Sequence, residues 1–134
     1  MNEMKNLTIL IMDDAAVVRK LIVTMLIESI HAARIIQAED PNSAIELFAQ
    51  HKPQIAILDI QVPGDRNGID VLKTFKTLMP FVAVIMLTNH ATARYRLACA
   101  RAGADFFFDK STEFEKLNSA VMDLAQRLPN RKNA

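Results

Sequence analysis

The sequence predicts an α/β fold, in which a doubly wound, five-stranded parallel sheet is covered by helices on both faces. A short apolar run followed by a longer amphipathic stretch occurs five times along the chain. Most of the short runs are continuous rather than alternating, which is typical of strands buried on both faces. Because strand and helix patterns alternate, they indicate βαβ units and therefore a parallel sheet. The length of 134 residues suits one domain.

The expected strands are the apolar runs 7–12, 34–38, 54–58, 82–87 and 105–108. Side chains typical of helix ends separate them. The expected helix boundaries are Asp14 as the first N-cap, Asp40 and Pro41 at the second start, Gly68 before the third helix, Thr92 and Gly103 at the two ends of the fourth, and a capping box of Thr112 with Glu115 before the fifth. The first helix is expected to bury a stripe of Val18, Leu21, Ile22, Met25 and Leu26. Residues 1–128 are expected to form the domain, and 129–134 a flexible C-terminal tail.

Composition excludes several classes of protein. Apolar residues make up 51% and charged residues 23% of the chain, which favours a packed core over disorder. The net charge of +1 indicates neither direct nucleic-acid binding nor membrane binding. The single cysteine, Cys99, cannot form an intramolecular disulfide and is expected to be a small buried hydrophobe. With no signal peptide and no long apolar run in the sequence, we expect a cytoplasmic protein.

Polar side chains follow all five apolar runs, but Glu39 and Asp40 after the second run are expected to be helix-capping residues. Asp13 and Asp14 follow the first run, Asp59 the third, Thr88 the fourth and Lys110 the fifth. In open α/β sheets functional groups gather at the carboxyl ends of the strands, so these side chains are expected to meet. Three carboxylates and one ammonium leave two net negative charges, which one divalent cation would neutralise. Oxygen ligands without Cys or His favour Mg²⁺, for which Mn²⁺ could substitute.

This set of groups is suited to phosphoryl chemistry. A carboxylate beside Mg²⁺ can attack phosphorus and form an aspartyl phosphate, which makes Asp59 the expected nucleophile. Lys110 and Thr88 would then bind the phosphoryl oxygens. Structural roles are the alternatives for single residues: Asp14 as a helix cap, Asp59 as the start of a turn, and Thr88 as a cap or loop hydrogen-bonding group.

Four segments resemble the receiver-domain family of response regulators, the phosphorylated partners in two-component signalling and phosphorelays. They are Ile11-Met12-Asp13-Asp14, Ile57-Leu58-Asp59-Ile60-Gln61-Val62-Pro63, Leu87-Thr88 and Gly103-Ala104-Asp105-Phe106-Phe107-Phe108-Asp109-Lys110. The resemblance implies a flavodoxin-like (βα)₅ fold with strand order 2-1-3-4-5. It implies that Asp59 is phosphorylated by a sensor histidine kinase or a histidine phosphotransfer protein. Asp13 or Asp14, Asp59 and the backbone carbonyl of Gln61 would hold Mg²⁺.

The resemblance also implies a surface that signals the phosphorylation state to a partner. Thr88 and Phe107 match the switch positions, and the face formed by the fourth helix, fifth strand and fifth helix would bind an output partner. The chain departs from the common family pattern in four places: a longer segment between Asp59 and Gly68, Asn89 after Thr88, Ser111 instead of proline after Lys110, and phenylalanine instead of tyrosine at Phe107.

Three other functions remain as alternatives. A pseudo-receiver would act as a phosphorylation-independent interaction module, and its support is Phe107, Ser111 and the longer segment between Asp59 and Gly68. A flavodoxin-like nucleotide or FMN binder would need a phosphate-binding loop where Asp13 and Asp14 stand. A phosphatase of the haloacid dehalogenase type would need a second acid at the position of Gln61. We therefore expect no enzyme beyond the chain's own phosphoryl transfer and dephosphorylation.

Overall fold

Five parallel strands form one sheet in the computed structural model, which describes residues 7–30 and 34–132, with the backbone alone for 129–132. The strands are β1 (Thr8–Met12), β2 (Arg34–Ala38), β3 (Ile55–Leu58), β4 (Ala83–Thr88) and β5 (Phe106–Asp109). The helices are α1 (Ala16–Ser29), α2 (Pro41–His51), α3 (Gly68–Leu78), α4 (Ala93–Arg101) and α5 (Leu117–Lys132). The strand order β2-β1-β3-β4-β5 confirms the predicted doubly wound, flavodoxin-like topology.

Both faces of the sheet are buried. Every residue of β3 and β4 is buried, which explains why their sequences are continuously apolar. One core packs the sheet against α1 and α5, and the second packs it against α2, α3 and α4. In the second core, the rings of Phe48 and Phe75 stack with centroids 3.8 Å apart and join α2 to α3. Full burial of each such side chain contributes about 1.5–3 kcal/mol to the free energy of unfolding.

Side-chain caps begin three of the helices on the second face. The Asp40 carboxylate accepts a hydrogen bond from the Ser43 N–H at 2.8 Å, and Pro41 is the first residue of α2. Asn67 caps α3 in a reciprocal capping box with Asp70. Thr92 caps α4, as predicted. These caps fix where the loops at the carboxyl edge of the sheet turn into helices.

Three local predictions were wrong. The N-cap of α1 is Ala15, not Asp14, because the Asp13 carboxylate accepts the Ala15 N–H at 2.9 Å and α1 begins at the following residue. Thr112 does not cap the last helix, because a 3₁₀ turn (Phe114–Lys116) comes first and α5 begins at Leu117. Leu21 is not buried in the core but is 56% exposed.

Helix α5 extends through Lys132, four residues past the predicted domain boundary at 128. The flexibility expected for 129–134 stays a prediction, and residues 133 and 134 lie outside the described residues. Gly103 has φ +99° just after the end of α4, as expected for a helix-terminating glycine. In the part of the chain that the structure describes, no helix has the length and apolar character to cross a membrane.

Candidate functional site

The predicted polar groups lie at the carboxyl edge of the sheet. Asp13 and Asp14 follow β1, Asp59 follows β3, Thr88 is the last residue of β4 and Lys110 follows β5. Carboxylate oxygens of the three aspartates lie within 4.8 Å of one another. Strands that are far apart in the sequence thus bring these side chains together at the carboxyl edge, as expected from the sheet topology.

Asp13 is held by contacts at both carboxylate oxygens. Its side chain is buried, with Oδ1 accepting the Ala15 N–H at 2.9 Å and Oδ2 lying 2.5 Å from the Lys110 Nζ. The backbone carbonyl of Asp13 accepts a 2.6 Å hydrogen bond from the Arg19 guanidinium. Burial raises the pKa of the Asp13 carboxyl above its ordinary value, although the Lys110 ammonium acts in the opposite direction.

Asp59 lies at the centre of the cluster and is only 6% exposed. Its Oδ2 accepts a hydrogen bond from the Lys110 Nζ at 2.7 Å. Its Oδ1 is buried and has no hydrogen-bond partner in the structure. Because an unpartnered buried carboxylate oxygen is costly, it marks a place where a cation or donor would be bound.

Gly68 lies directly against the backbone of Asp59. A Cβ atom at position 68 would lie 1.9 Å from the Asp59 carbonyl oxygen, so no side chain fits there without displacing that backbone. The Gly68 N–H also donates a 2.8 Å hydrogen bond to the Ile60 carbonyl. From the sequence, Gly68 is expected only at the start of a helix, because the close approach of the α3 start to the end of β3 leaves no pattern in the sequence.

Lys110 is shared between two carboxylates. Burial would lower the pKa of its ammonium, but the hydrogen bonds and charges of Asp13 and Asp59 outweigh burial and raise that pKa. The Lys110 ammonium is stabilised by two carboxylates, whereas Asp13 and Asp59 share the positive charge of a single ammonium. Lys110 is therefore charged at neutral pH, and it neutralises only part of the acidic cluster.

The donor set fits a hard divalent cation. Asp14 is exposed and its carboxylate belongs to the cluster, and all three candidate side chains offer carboxylate oxygens. Oxygen donors without sulfur or imidazole suit Mg²⁺ or Mn²⁺ better than zinc. The unpartnered Oδ1 of Asp59 is an independent sign that the cluster is short of positive charge.

The remaining predicted residues lie around this cluster without bonding to it. Thr88 is fully buried, and its hydroxyl oxygen accepts the His90 N–H at 3.1 Å. Gln61 is exposed, and its Nε2 donates to the Tyr95 hydroxyl at 3.4 Å. Phe107 is half-buried against the second core, on the neighbouring strand to Thr88.

Two charged residues next to Phe107 were not anticipated from the sequence. The Arg96 guanidinium carbon lies 4.7 Å from the centroid of the Phe107 ring. A nitrogen of the same guanidinium lies 3.3 Å from the Glu113 carboxylate. Sequence spacing carries no signal for such contacts, because the residues lie on three different segments.

A model of the response regulator receiver domain matches residues 9–122 of the chain. The chain is 29% identical over 118 residues to the Fimbriae Z protein of Salmonella typhimurium, covering 88% of this chain and 56% of that protein. It is 28% identical over 113 residues to the chemotaxis protein CheY of Bacillus subtilis, covering 84% and 92%. The chain spans about half of Fimbriae Z and of the probable regulator TcrX of Mycobacterium tuberculosis, and 24% of NtrX of Azorhizobium caulinodans.

Solved structures show the same fold. The signal receiver domain of a DNA-binding response regulator from Colwellia psychrerythraea has a TM-score of 0.83 at 24% identity, covering 90% of this chain and 98% of that one. A CheY-like receiver domain protein from Methanospirillum hungatei has a TM-score of 0.83 at 21% identity, covering 92% and 97%. At these identities the structures support the fold alone.

Proposed function

The chain belongs to the family of response regulator receiver domains, and on that basis we propose that Asp59 accepts a phosphoryl group from a sensor histidine kinase or a histidine phosphotransfer protein. The observation that carries the proposal is the state of the Asp59 carboxylate. It is buried in an acidic cluster, one oxygen contacts Lys110 and the other has no partner. An acid used only to end a strand would not need this environment.

In the proposed step, an Asp59 carboxylate oxygen supplies the electron pair for a new O–P bond while the N–P bond of a phosphohistidine breaks. The electron pair of the broken bond stays on the imidazole nitrogen. The imidazole leaves neutral because its other nitrogen carries a proton. The Lys110 Nζ lies 2.7 Å from Asp59 Oδ2 and would stabilise the charge of the new phosphoryl oxygens. The Thr88 hydroxyl would donate to another of these oxygens.

Mg²⁺, or Mn²⁺ in its place, would be held by carboxylates of Asp13, Asp14 and Asp59 and by the backbone carbonyl of Gln61. When bound, it supplies positive charge that offsets the acidic cluster and the phosphoryl oxygens. Gln61 stands two residues after the nucleophile and has no acid–base function, so we propose a signalling phosphoacceptor and not a turnover enzyme.

Thr88 and Phe107 are the proposed switch residues. Their side chains extend from neighbouring strands, since Met86 pairs with Phe107 and Thr88 pairs with Asp109. Movement of the Thr88 hydroxyl towards a phosphoryl group would change the space beside the Phe107 ring. The surface of α4, β5 and α5 would transmit that change to an output partner.

The test is intact-mass spectrometry after incubation with acetyl phosphate and Mg²⁺. Three proteins are compared: wild type, Asp59→Asn, and Asp65→Asn as a control for an exposed acid in the following loop. We expect one phosphoryl adduct on wild type and on Asp65→Asn, and none on Asp59→Asn.

An adduct that persists on Asp59→Asn would refute the assignment of the nucleophile. If wild type takes no adduct, beryllofluoride binding separates two cases. Binding would indicate a site that needs its own kinase, and no binding would favour a phosphorylation-independent interaction module.

A further inference from the structure

Arg96 on α4 contacts two other segments of the chain. Its guanidinium carbon lies 4.7 Å from the centroid of the Phe107 ring on β5, and Nη1 lies 3.5 Å from the Phe107 carbonyl oxygen. Its Nη2 lies 3.3 Å from Oε1 of Glu113, in the segment between β5 and α5. A planar guanidinium suits this combination, because it can stack on a ring and donate hydrogen bonds from its edge at the same time.

Glu113 extends these contacts towards the phosphoacceptor site. Its Oε1 also accepts the backbone N–H of Asp109 at 2.9 Å, and its Oε2 lies 3.1 Å from the Lys116 ammonium. Asp109 directly precedes Lys110, whose ammonium lies between Asp13 and Asp59. Through Glu113, Arg96 is therefore connected to the end of β5, directly before the proposed phosphoryl-binding Lys110.

The Phe107 ring has two sets of contacts. It packs against the second core, where Tyr95 is also among the partly buried residues. The Arg96 guanidinium lies over the ring, and the Arg96 side chain is 44% exposed, so this contact lies at the surface. A ring that contacts both a packed core and a charged plane resists reorientation more than a ring that faces water.

We propose that Arg96 is a positioning residue that clamps the Phe107 ring and the β5–α5 segment in the unphosphorylated arrangement. The proposal rests on the function proposed above, in which phosphorylation of Asp59 changes the surroundings of Phe107. A ring that must leave the guanidinium gives up its cation–π contact during the switch. Because coupling between two sites is reciprocal, weakening the clamp then strengthens binding of a phosphoryl group or its analogue at Asp59.

The first measurement follows the ring itself, without any phosphoryl group. Uniform labelling with 4-fluorophenylalanine gives seven fluorine signals, and Phe107→Leu identifies the one that belongs to position 107. We expect Arg96→Met to shift and narrow this signal as the ring becomes freer. Arg94→Met is the matched control, since Arg94 is an exposed arginine on the same helix, whereas the cation–π contact with Phe107 is made by Arg96.

The second measurement is the affinity for beryllofluoride in the presence of Mg²⁺. We expect Arg96→Met to bind about two- to fivefold more tightly than wild type, the range that one exposed cation–π contact and one surface ion pair support. Arg94→Met should match wild type, and Arg96→Lys should fall between. In a Phe107→Leu background the ring contact is gone, so Arg96→Met should have a smaller effect.

Equal ring signals and equal beryllofluoride affinities for Arg96→Met and Arg94→Met would overturn the proposal. An unchanged Arg96→Met effect in the Phe107→Leu background would also overturn it, because the action of Arg96 would not pass through the ring. If neither wild type nor any variant binds beryllofluoride, the proposed phosphoacceptor function is refuted, and so is the proposed coupling between Arg96 and Asp59. The fluorine signal still shows in that case whether the clamp itself exists.

Discussion

Replacing Asp59 by asparagine tests the electrostatics of the site in the absence of metal. The substitution removes one negative charge and keeps nearly the same shape. The asparagine carbonyl oxygen can still accept the Lys110 hydrogen bond that Asp59 accepts at 2.7 Å. Its NH₂ group then replaces the oxygen that has no partner, and it can donate to a neighbouring carboxylate.

The distances in the site give the magnitude. At an effective dielectric constant of about 20, the attraction lost between Asp59 and Lys110 at 2.7 Å is about 6 kcal/mol. At 4.8 Å, the upper limit of the separations within the cluster, each repulsion relieved is about 3.5 kcal/mol, and Asp13 and Asp14 contribute one each. These terms nearly cancel. The remaining difference is the cost of a buried oxygen without a partner, about 1–3 kcal/mol. Because Asp14 is exposed, solvent and salt weaken its repulsion with Asp59. We therefore expect Asp59→Asn to raise the free energy of unfolding by about 1–2 kcal/mol.

The assay is urea unfolding, followed by circular dichroism, at low salt with a chelator present. Asp13→Asn is the matched control, because both oxygens of Asp13 already accept hydrogen bonds. An amide there places an NH₂ group against either the Lys110 ammonium or the Ala15 N–H, so this variant should be less stable than wild type. A less stable Asp59→Asn, or equal shifts for the two variants, would refute the electrostatic reasoning.

Three further outcomes are expected. In urea unfolding, Gly68→Ala should lower the free energy of unfolding by about 3 kcal/mol, because the new Cβ would overlap the Asp59 backbone carbonyl. The Cβ of Gly64→Ala would lie in open space, so that variant should lose only the free energy of its backbone strain. Equal losses of unfolding free energy in the two variants would contradict this. Mg²⁺ at ten times its dissociation constant should raise the Tm of wild type by about 4 °C, and an equal rise in Asp13→Ala/Asp14→Ala would refute the metal site. Burial raises the pKa of the Cys99 thiol from 9.0 to about 11, so its contribution to stability is complete below pH 9 and lost as the pH rises to 11. The stability difference between wild type and Cys99→Ala should therefore change in that range, and a constant difference would contradict the shifted pKa.

The sheet and the composition of the site could be predicted because both follow from strand sequence alone. Buried parallel strands read as continuous apolar runs, and the residue after each run lies at a known edge. Asp13, Asp59 and Lys110 are therefore expected to meet, and the Lys110 ammonium does contact both carboxylates.

The start of the last helix shows where local patterns fail. Thr112 and Glu115 have the spacing of a capping box, but the N–H groups of Thr112 and Glu113 donate to the Asp109 carbonyl instead. The Glu113 side chain is meanwhile bound to the Asp109 N–H and to Arg96. The contacts with Asp109 are local but compete with the capping box, and the contact with Arg96 comes from another helix, which a short sequence window does not reveal. The same is true of the Phe107 clamp.

The hydrogen bond between Gly68 and Ile60 has a consequence for how this surface can vary. It closes the segment between them at its base, at 2.8 Å, directly beside Asp59. A loop closed in this way can change its length with little entropic cost and without moving its anchors. The extra residue in this segment therefore need not disturb the nucleophile. Sequence variation in this segment can therefore change the surface that a partner contacts without changing the phosphoacceptor site at Asp59.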